Sequence, residues 1–245
     1  HEENCSMPVY LLTDDPALFP PPELADESGL LAIGGDLSLE RLTHAYLQGI
    51  FPWYNNEDPG ILWWSPDPRL VLFPQELHLS RSLKKTLKRG LFQVTFNQAF
   101  EQVIHHCGPK RPPKSSDEDE STWITPAMIK AYTDLHQAGL AHSVEAWLEE
   151  EGELKLVGGS YGVALGGCFF GESMFALRPD ASKVAFVTLV QRLQALGYGM
   201  IDCQVRTEHL VRFGAREIPR DTFQKQLAEL VAQPAAPPEE AAEHP

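Results

Sequence analysis

At 245 residues, with 43% hydrophobic and 22% charged side chains, the chain is long enough to bury a core in one large or two modest domains. No apolar run approaches the roughly 20 residues needed to span a bilayer, and four scattered cysteines without a Cys-x-x-Cys pair argue against a disulfide framework or a zinc site. A net charge of −14 opposes nucleic-acid binding by the chain as a whole, because phosphate is held by Lys and Arg.

The opening His1-Glu2-Glu3-Asn4 has neither a basic start nor an apolar stretch, so no secretory signal is expected and the cytoplasm is the expected address. A loop-rich segment with Pro20-Pro21-Pro22 follows. Ser38 then caps a predicted helix running to about Gln48, with Leu42, Ala45 and Tyr46 facing inward and Gly49 ending it. Three of the five tryptophans lie between positions 53 and 64. Such density suits packing around a proline-braced loop, or a stacking platform for a base or an aminoacyl group.

Between Ser80 and Gly90 the charge reverses locally. Ser80 is a fitting N-cap and Gly90 a fitting C-terminal glycine. Leu83 and Leu87 seat the helix, while Arg81, Lys84, Lys85 and Lys88 share another face. Taken alone, that stripe reads as a solvated helix face. His105-His106-Cys107 is the one metal-type cluster, and adjacent residues converge poorly on one ion, so no metal site is predicted. Residues 110–121, with Pro112, Pro113 and Asp117-Glu118-Asp119-Glu120, read as a surface loop.

Thr125-Pro126 opens a helix to about Gly139. Strands are predicted over 141–148, 154–166 and 167–176, a helix over 181–196, a strand over 200–205 and a last helix from Asp221 to about Ala232. Residues 233–245, with four prolines, three glutamates and no large apolar side chain, have the composition of a disordered tail. The order of elements predicts an α+β or mixed α/β fold on a largely antiparallel sheet. On the strand over 200–205, alternation directs Asp202 and Gln204 to one face and Ile201, Cys203 and Val205 to the other.

Five strings carry a resemblance: Gly34-Gly35-Asp36-Leu37, Gly49-Ile50-Phe51-Pro52-Trp53, Leu62-Trp63-Trp64-Ser65-Pro66-Asp67-Pro68-Arg69, Gly171-Glu172-Ser173-Met174-Phe175 and Ile201-Asp202-Cys203-Gln204. In this order, over roughly residues 19 to 230, they resemble the bacterial leucyl/phenylalanyl-tRNA–protein transferases. The resemblance implies an N-terminal domain over residues 1–66, a GNAT-like aminoacyl transferase domain with a largely antiparallel sheet over 67–232, and a tail over 233–245. It implies transfer of Leu or Phe, with Met as a further donor, from aminoacyl-tRNA to the α-amino group of proteins starting with Arg or Lys, marking them for N-degron degradation. Leu-tRNA, Phe-tRNA and such acceptor proteins are the implied partners, with no cofactor, metal or membrane.

By the same resemblance Asp202 and Gln204 are catalytic. Phe169, Met174 and Ile201 line the aminoacyl pocket with Ser160 near it, and Glu172 contacts the aminoacyl α-amino group. Family members often carry a larger apolar residue where Ser160 stands. Trp53 and Trp123 are candidates for the terminal adenosine or the acceptor peptide, and Arg81, Lys84, Lys85 and Lys88 for the tRNA acceptor stem. Two rival readings remain. A CoA-dependent GNAT enzyme needs a glycine-rich pyrophosphate turn, where this chain has Arg178-Pro179-Asp180-Ala181-Ser182-Lys183. A non-catalytic tRNA- or N-terminus-binding module needs the basic helix but neither Asp202 nor Gln204.

Overall fold

The computed structural model describes residues 9–107 and 125–240. Tyr10–Leu11 (β1), Leu30–Ile33 (β2), Phe51–Pro52 (β3) and Leu62–Trp64 (β4) form a small sheet in the order β1-β2-β4-β3. Arg69–Leu72 (β5), Phe92–Phe96 (β6), Ala141–Glu150 (β7), Glu153–Leu165 (β8), Cys168–Ala176 (β9), Met200–Gln204 (β10) and Arg216–Ile218 (β11) form a larger one, ordered β11-β5-β10-β9-β8-β7-β6. Its pairings are antiparallel, except that β9 and β10 run parallel. The helices are Leu39–Leu47 (α1), Arg81–Arg89 (α2), Phe100–Cys107 (α3), Pro126–Gln137 (α4), Ala181–Ala195 (α5), Glu208–Arg212 (α6) and Arg220–Val231 (α7). This is the mixed α/β architecture, on a largely antiparallel sheet, that the order of elements predicts. Among the described residues no helix is long and apolar enough to cross a membrane.

Helix ends follow local chemistry. Ser38, Ser80 and Thr125 accept from the backbone N–H three residues on and so start α1, α2 and α4. Gly90 closes α2 in the left-handed region. Helix α5 has little amphipathic contrast, because eight of its residues are buried, from Ala181 to Leu193. It packs on one face of the large sheet against Leu70, Phe169 and Ile201. The other face, carrying Val71, Phe170 and Met200, is covered by α3, α4, α7 and the small sheet. One continuous core therefore joins both sheets, from Leu31 and Trp63 to Tyr161 and Phe170.

Several elements escape a reading of periodicity. β1 to β4 are two to four residues long, and Leu62, Trp63 and Trp64 are all buried, so β4 has no alternation to read. Helices α3 and α6, of eight and five residues, and strands β5, β6 and β11, of three to five, are also short. The tail also differs from its composition. Residues 233–240 return along the domain, where Tyr198 donates its hydroxyl to the Ala236 carbonyl at 2.8 Å and Arg192 donates Nη1 to the Pro238 carbonyl at 3.0 Å. Backbone carbonyls supply these acceptors, which a count of side-chain types does not see. The remainder of the predicted tail and the acidic loop at 110–121 lie outside the described residues.

Phe170 is fully buried in the shared core, its ring 5.2 Å from that of Tyr46 on α1. Phe170→Ala is expected to cost about 3–5 kcal/mol, read as a lower midpoint in urea unfolding.

Candidate active site

Strands β9 and β10 are paired only at Met200↔Cys168, Ile201↔Phe169 and Asp202↔Phe170. Both then lose step with their outer neighbours. On β9 the register to β8 shifts so that Glu172 falls between the paired Gly171 and Ser173; on β10 the register to β5 shifts and Cys203 falls out of pairing. A bulge re-aims side chains and sharpens twist. Past these two irregularities a cavity of about 470 Å³ opens between the strands. Phe169, Gly171, Glu172, Ser173 and Met174 line it from β9, Ile201, Cys203 and Gln204 from β10, and Ser160 and Tyr161 from β8. Phe186 and Leu189 of α5, and His209 and Leu210 of α6, complete the wall. Gly162 leaves space for this wall, since a Cβ there would lie 2.3 Å from the Phe170 carbonyl oxygen and 2.6 Å from the Phe169 ring.

Glu172 is buried, and its Oε1 accepts from the Tyr46 hydroxyl and from the Gln204 amide Nε2 at 3.2 Å. Because the Tyr46 hydroxyl donates its hydrogen bond to Glu172, the Tyr132 hydroxyl, 2.5 Å from that of Tyr46, donates to Tyr46 in turn. The Gln204 amide is oriented by the same logic, since only its NH₂ end can face a carboxylate. Burial, and then the charge of Glu172, push the hydroxyl pKa values of Tyr46, Tyr132 and Tyr161 well above the ordinary tyrosine range. These hydroxyls stay protonated at any working pH. Burial likewise raises the thiol pKa values of Cys107 and Cys203, which keeps these cavity cysteines as neutral thiols.

Asp202 is placed differently from the alternation-based expectation. It pairs with Val71 while Gln204 pairs with Leu70, and those two neighbours face opposite halves of the core. The bulge at Cys203 breaks the period of two, so Gln204 lines the cavity and Asp202 does not. Asp202 is fully buried instead against Arg69, which donates Nε to Oδ1 at 2.9 Å and Nη2 to Oδ2 at 2.7 Å. Asp202 Oδ1 also accepts the Gln204 backbone N–H at 2.9 Å. Gln204 itself sits at φ 69°, in the left-handed region rarely entered by a residue with a side chain.

The cavity thus gathers Ser160, Phe169, Glu172, Met174, Ile201 and Gln204 of the sequence-derived candidates. Trp53 is buried edge-on against Trp64 in the small sheet, outside the cavity wall, and Trp123 lies outside the described residues. Arg81, Lys84, Lys85 and Lys88 are exposed on α2, apart from the cavity. Tyr46, Tyr132 and Arg69 are the partners that sequence reasoning missed. Tyr46 was visible as an inward residue and Arg69 as the end of a motif, but nothing local names a partner 126 or 133 residues away. Among the described residues no group of three or more His, Cys, Asp or Glu side chains could hold a metal ion.

A mostly apolar cavity with one carboxylate and one amide at its wall fits an ammonium group next to an apolar side chain. Those are the chemistries of the two ends of an aminoacyl group. Comparison with known proteins makes this specific. Residues 71–228 match the family model for leucyl/phenylalanyl-tRNA protein transferase, and residues 35–67 match the model for that family's N-terminal domain. The leucyl/phenylalanyl-tRNA–protein transferase of Myxococcus xanthus is 58% identical over 93% of this chain and 94% of its own length. Those of Magnetococcus marinus and Anaeromyxobacter dehalogenans are 55% and 57% identical over the same shares. The chain belongs to the leucyl/phenylalanyl-tRNA protein transferase family. Among solved structures the L-PGS of Bacillus licheniformis is a distant likeness, at 14% identity and a TM-score of 0.36 over 74% of this chain and 57% of that one.

Tyr46→Phe removes a hydrogen-bond donor to a buried carboxylate. It is expected to cost about 1–3 kcal/mol in urea unfolding, with aminoacyl transfer slowed by roughly tenfold.

Proposed function

We propose that the chain moves Leu or Phe, with Met as a further donor, from aminoacyl-tRNA to the α-amino group of proteins that start with Arg or Lys. One observation carries this reading: Glu172 and Gln204 are bonded together at the wall of a mostly apolar cavity large enough for either side chain. The apolar side chain lies against Phe169, Met174 and Ile201, and its α-ammonium group is held by Glu172. Trp53 and Trp123 remain candidates for the terminal adenosine or acceptor peptide, Trp53 at most through rearrangement of its present packing.

The chemistry asks for little acid–base strength. An α-amino group with a pKa of roughly 7.7–8.0 is about a tenth neutral at pH 7, so its lone pair needs no strong base. It attacks the ester carbonyl carbon, the C–N bond forms, and the terminal ribose oxygen departs with a proton. Gln204, with its NH₂ end on Glu172, offers its amide oxygen to an N–H of the attacking amine. Alignment of this kind contributes up to roughly 7–11 kcal/mol in favourable cases. The vicinal ribose hydroxyl relays the proton.

The basic face of α2 grips the acceptor stem, and the acidic remainder of the chain favours a cationic N-terminus. Such a reaction belongs where charged tRNA and nascent or cleaved proteins meet, in the cytoplasm, and its product carries an N-degron. A CoA-dependent reading is disfavoured at the start of α5. There Asp180, at φ 67° and hydrogen-bonded to Thr86, sets a carboxylate where pyrophosphate would need glycines and bare N–H groups.

Labelled Leu on tRNA should pass to a peptide beginning with Arg, and far less to one beginning with Ala. Absence of transfer to either peptide contradicts the proposal. Charge reversal of Lys84, Lys85 and Lys88 to Glu should weaken tRNA binding and lower the slope of log K against log salt by roughly two to three; an unchanged slope removes α2 from the interface. Ser160→Met should slow Phe transfer more than Leu transfer, because a methylene-scale loss of pocket is worth roughly 1–3 kcal/mol.

A further inference from the structure

Asp202 cannot meet the reacting groups from where it stands. It is fully buried, does not line the cavity, and has both carboxylate oxygens engaged by Arg69. Its remaining contact toward the cavity is the hydrogen bond it accepts from the Gln204 backbone. That bond holds a residue whose left-handed φ of 69° is disfavoured and needs an external restraint. Arg69 supplies it at one remove. Its third donor, Nη1, reaches the Gly49 carbonyl at 2.9 Å, and its guanidinium lies over the rings of Phe51 at 5.1 Å and Phe223 at 4.3 Å. The end of α1, strand β3, strand β10 and helix α7 are thus fastened to one planar cation. Its fork of donors has a fixed geometry that Lys does not reproduce.

We propose that Arg69 is a positioning residue for the transfer: it locks Asp202, and through Asp202 it sets the backbone of Gln204 and so the aim of its side-chain amide. Asp202 then acts through geometry, with its charge cancelled by Arg69, and not as a base or a counter-charge to the attacking amine. This rests on the reading of the cavity as the transfer site.

The test uses the full chain with Arg69→Lys, Asp202→Asn and their combination. Three readouts are steady-state kinetics with Leu-tRNA and an Arg-starting peptide, the pH–rate profile, and the NMR signal of the Gln204 side-chain NH₂, assigned by its loss in Gln204→Glu. Each single variant should lower kcat by about ten- to a hundredfold, with KM for both substrates within about threefold, and should shift the Gln204 signal. The double variant should be no more than about threefold slower than the slower single one. The acid limb of the pH–rate profile should be the same in Asp202→Asn as in the unaltered chain.

Multiplying effects, a Gln204 signal that stays in place while rate is lost, or a displaced acid limb in Asp202→Asn would each overturn the proposal. Full activity in Arg69→Lys with an unmoved signal would do the same. If Arg69→Lys does not fold, Asp202→Asn, close in shape and still able to accept the Gln204 N–H, carries the test. If the unaltered chain transfers nothing, the functional reading fails, and the NMR signal still decides whether Arg69 sets Gln204.

Discussion

A charge taken out of water must be matched, and the Arg69–Asp202 pair is the place in this fold where that demand is most severe. Both side chains are about 1% exposed, so neither is screened by solvent. Desolvating two such ions costs several kcal/mol each, which only near-ideal geometry and further hydrogen bonds offset. Both conditions are met: the contact is bidentate, Gly49 takes the third donor, and Gln204 supplies a further donor to the acid. Removing one partner of such a pair typically costs about 3–5 kcal/mol, because the other is left charged and alone. The elements that meet here are therefore tied together more firmly than their short lengths suggest. Gly49 shows how close the approach is, since a Cβ there would fall 2.5 Å from the Gln224 side chain and 2.8 Å from the Phe223 ring.

The cavity follows from that fastening. β9 and β10 run parallel in an otherwise antiparallel sheet, and their pairing ends at Asp202. Beyond it the backbone is out of regular register, which lets Glu172 and Gln204 meet across the gap. The charged end of the cavity is fixed by a chain of donors, Tyr132 to Tyr46 to Glu172, and by the Gln204 amide. The apolar part of the wall comes from Phe186 and Leu189 of α5 together with Phe169 and Met174. Rigid polar and apolar ends at a set separation suit a reaction that asks mainly for alignment.

Legibility in the sequence divides along physical lines. Helices α1, α2, α4, α5 and α7 announce themselves through caps, glycine stops and apolar spacing, and the long strands β7, β8 and β9 through their length and the small-residue turns between them. Motif strings indicate the family and the part of the cavity wall formed by Gly171 to Met174 and by Ile201, Cys203 and Gln204. A bulge, by contrast, has no sequence signature at Asp202-Cys203-Gln204, so the rule of two sends Asp202 to the wrong side. Contacts between residues far apart in the chain, such as Tyr46 with Glu172 or Arg69 with Asp202, depend on topology rather than on any local pattern. The tail at 233–240 misleads for a related reason: its backbone, not its side chains, makes most of its contacts.

Charge completes the account. The chain is strongly acidic overall, while α2 presents Arg81, Lys84, Lys85, Lys88 and Arg89 to solvent, and none of these is in an ion pair among the described residues. Under the proposed function, an anionic and a cationic substrate would be drawn to different surfaces of one molecule. The central claim is that the aminoacyl group sits where β9 and β10 part, and a crystal structure with a 3′-amide analogue of leucyl-adenosine tests it most directly. The leucyl side chain should lie against Phe169 and Met174, its α-amino group on Glu172, and the amide bond beside Gln204, with Asp202 still closed on Arg69. An analogue bound elsewhere, or an Asp202 carboxylate turned to touch it, would contradict the account.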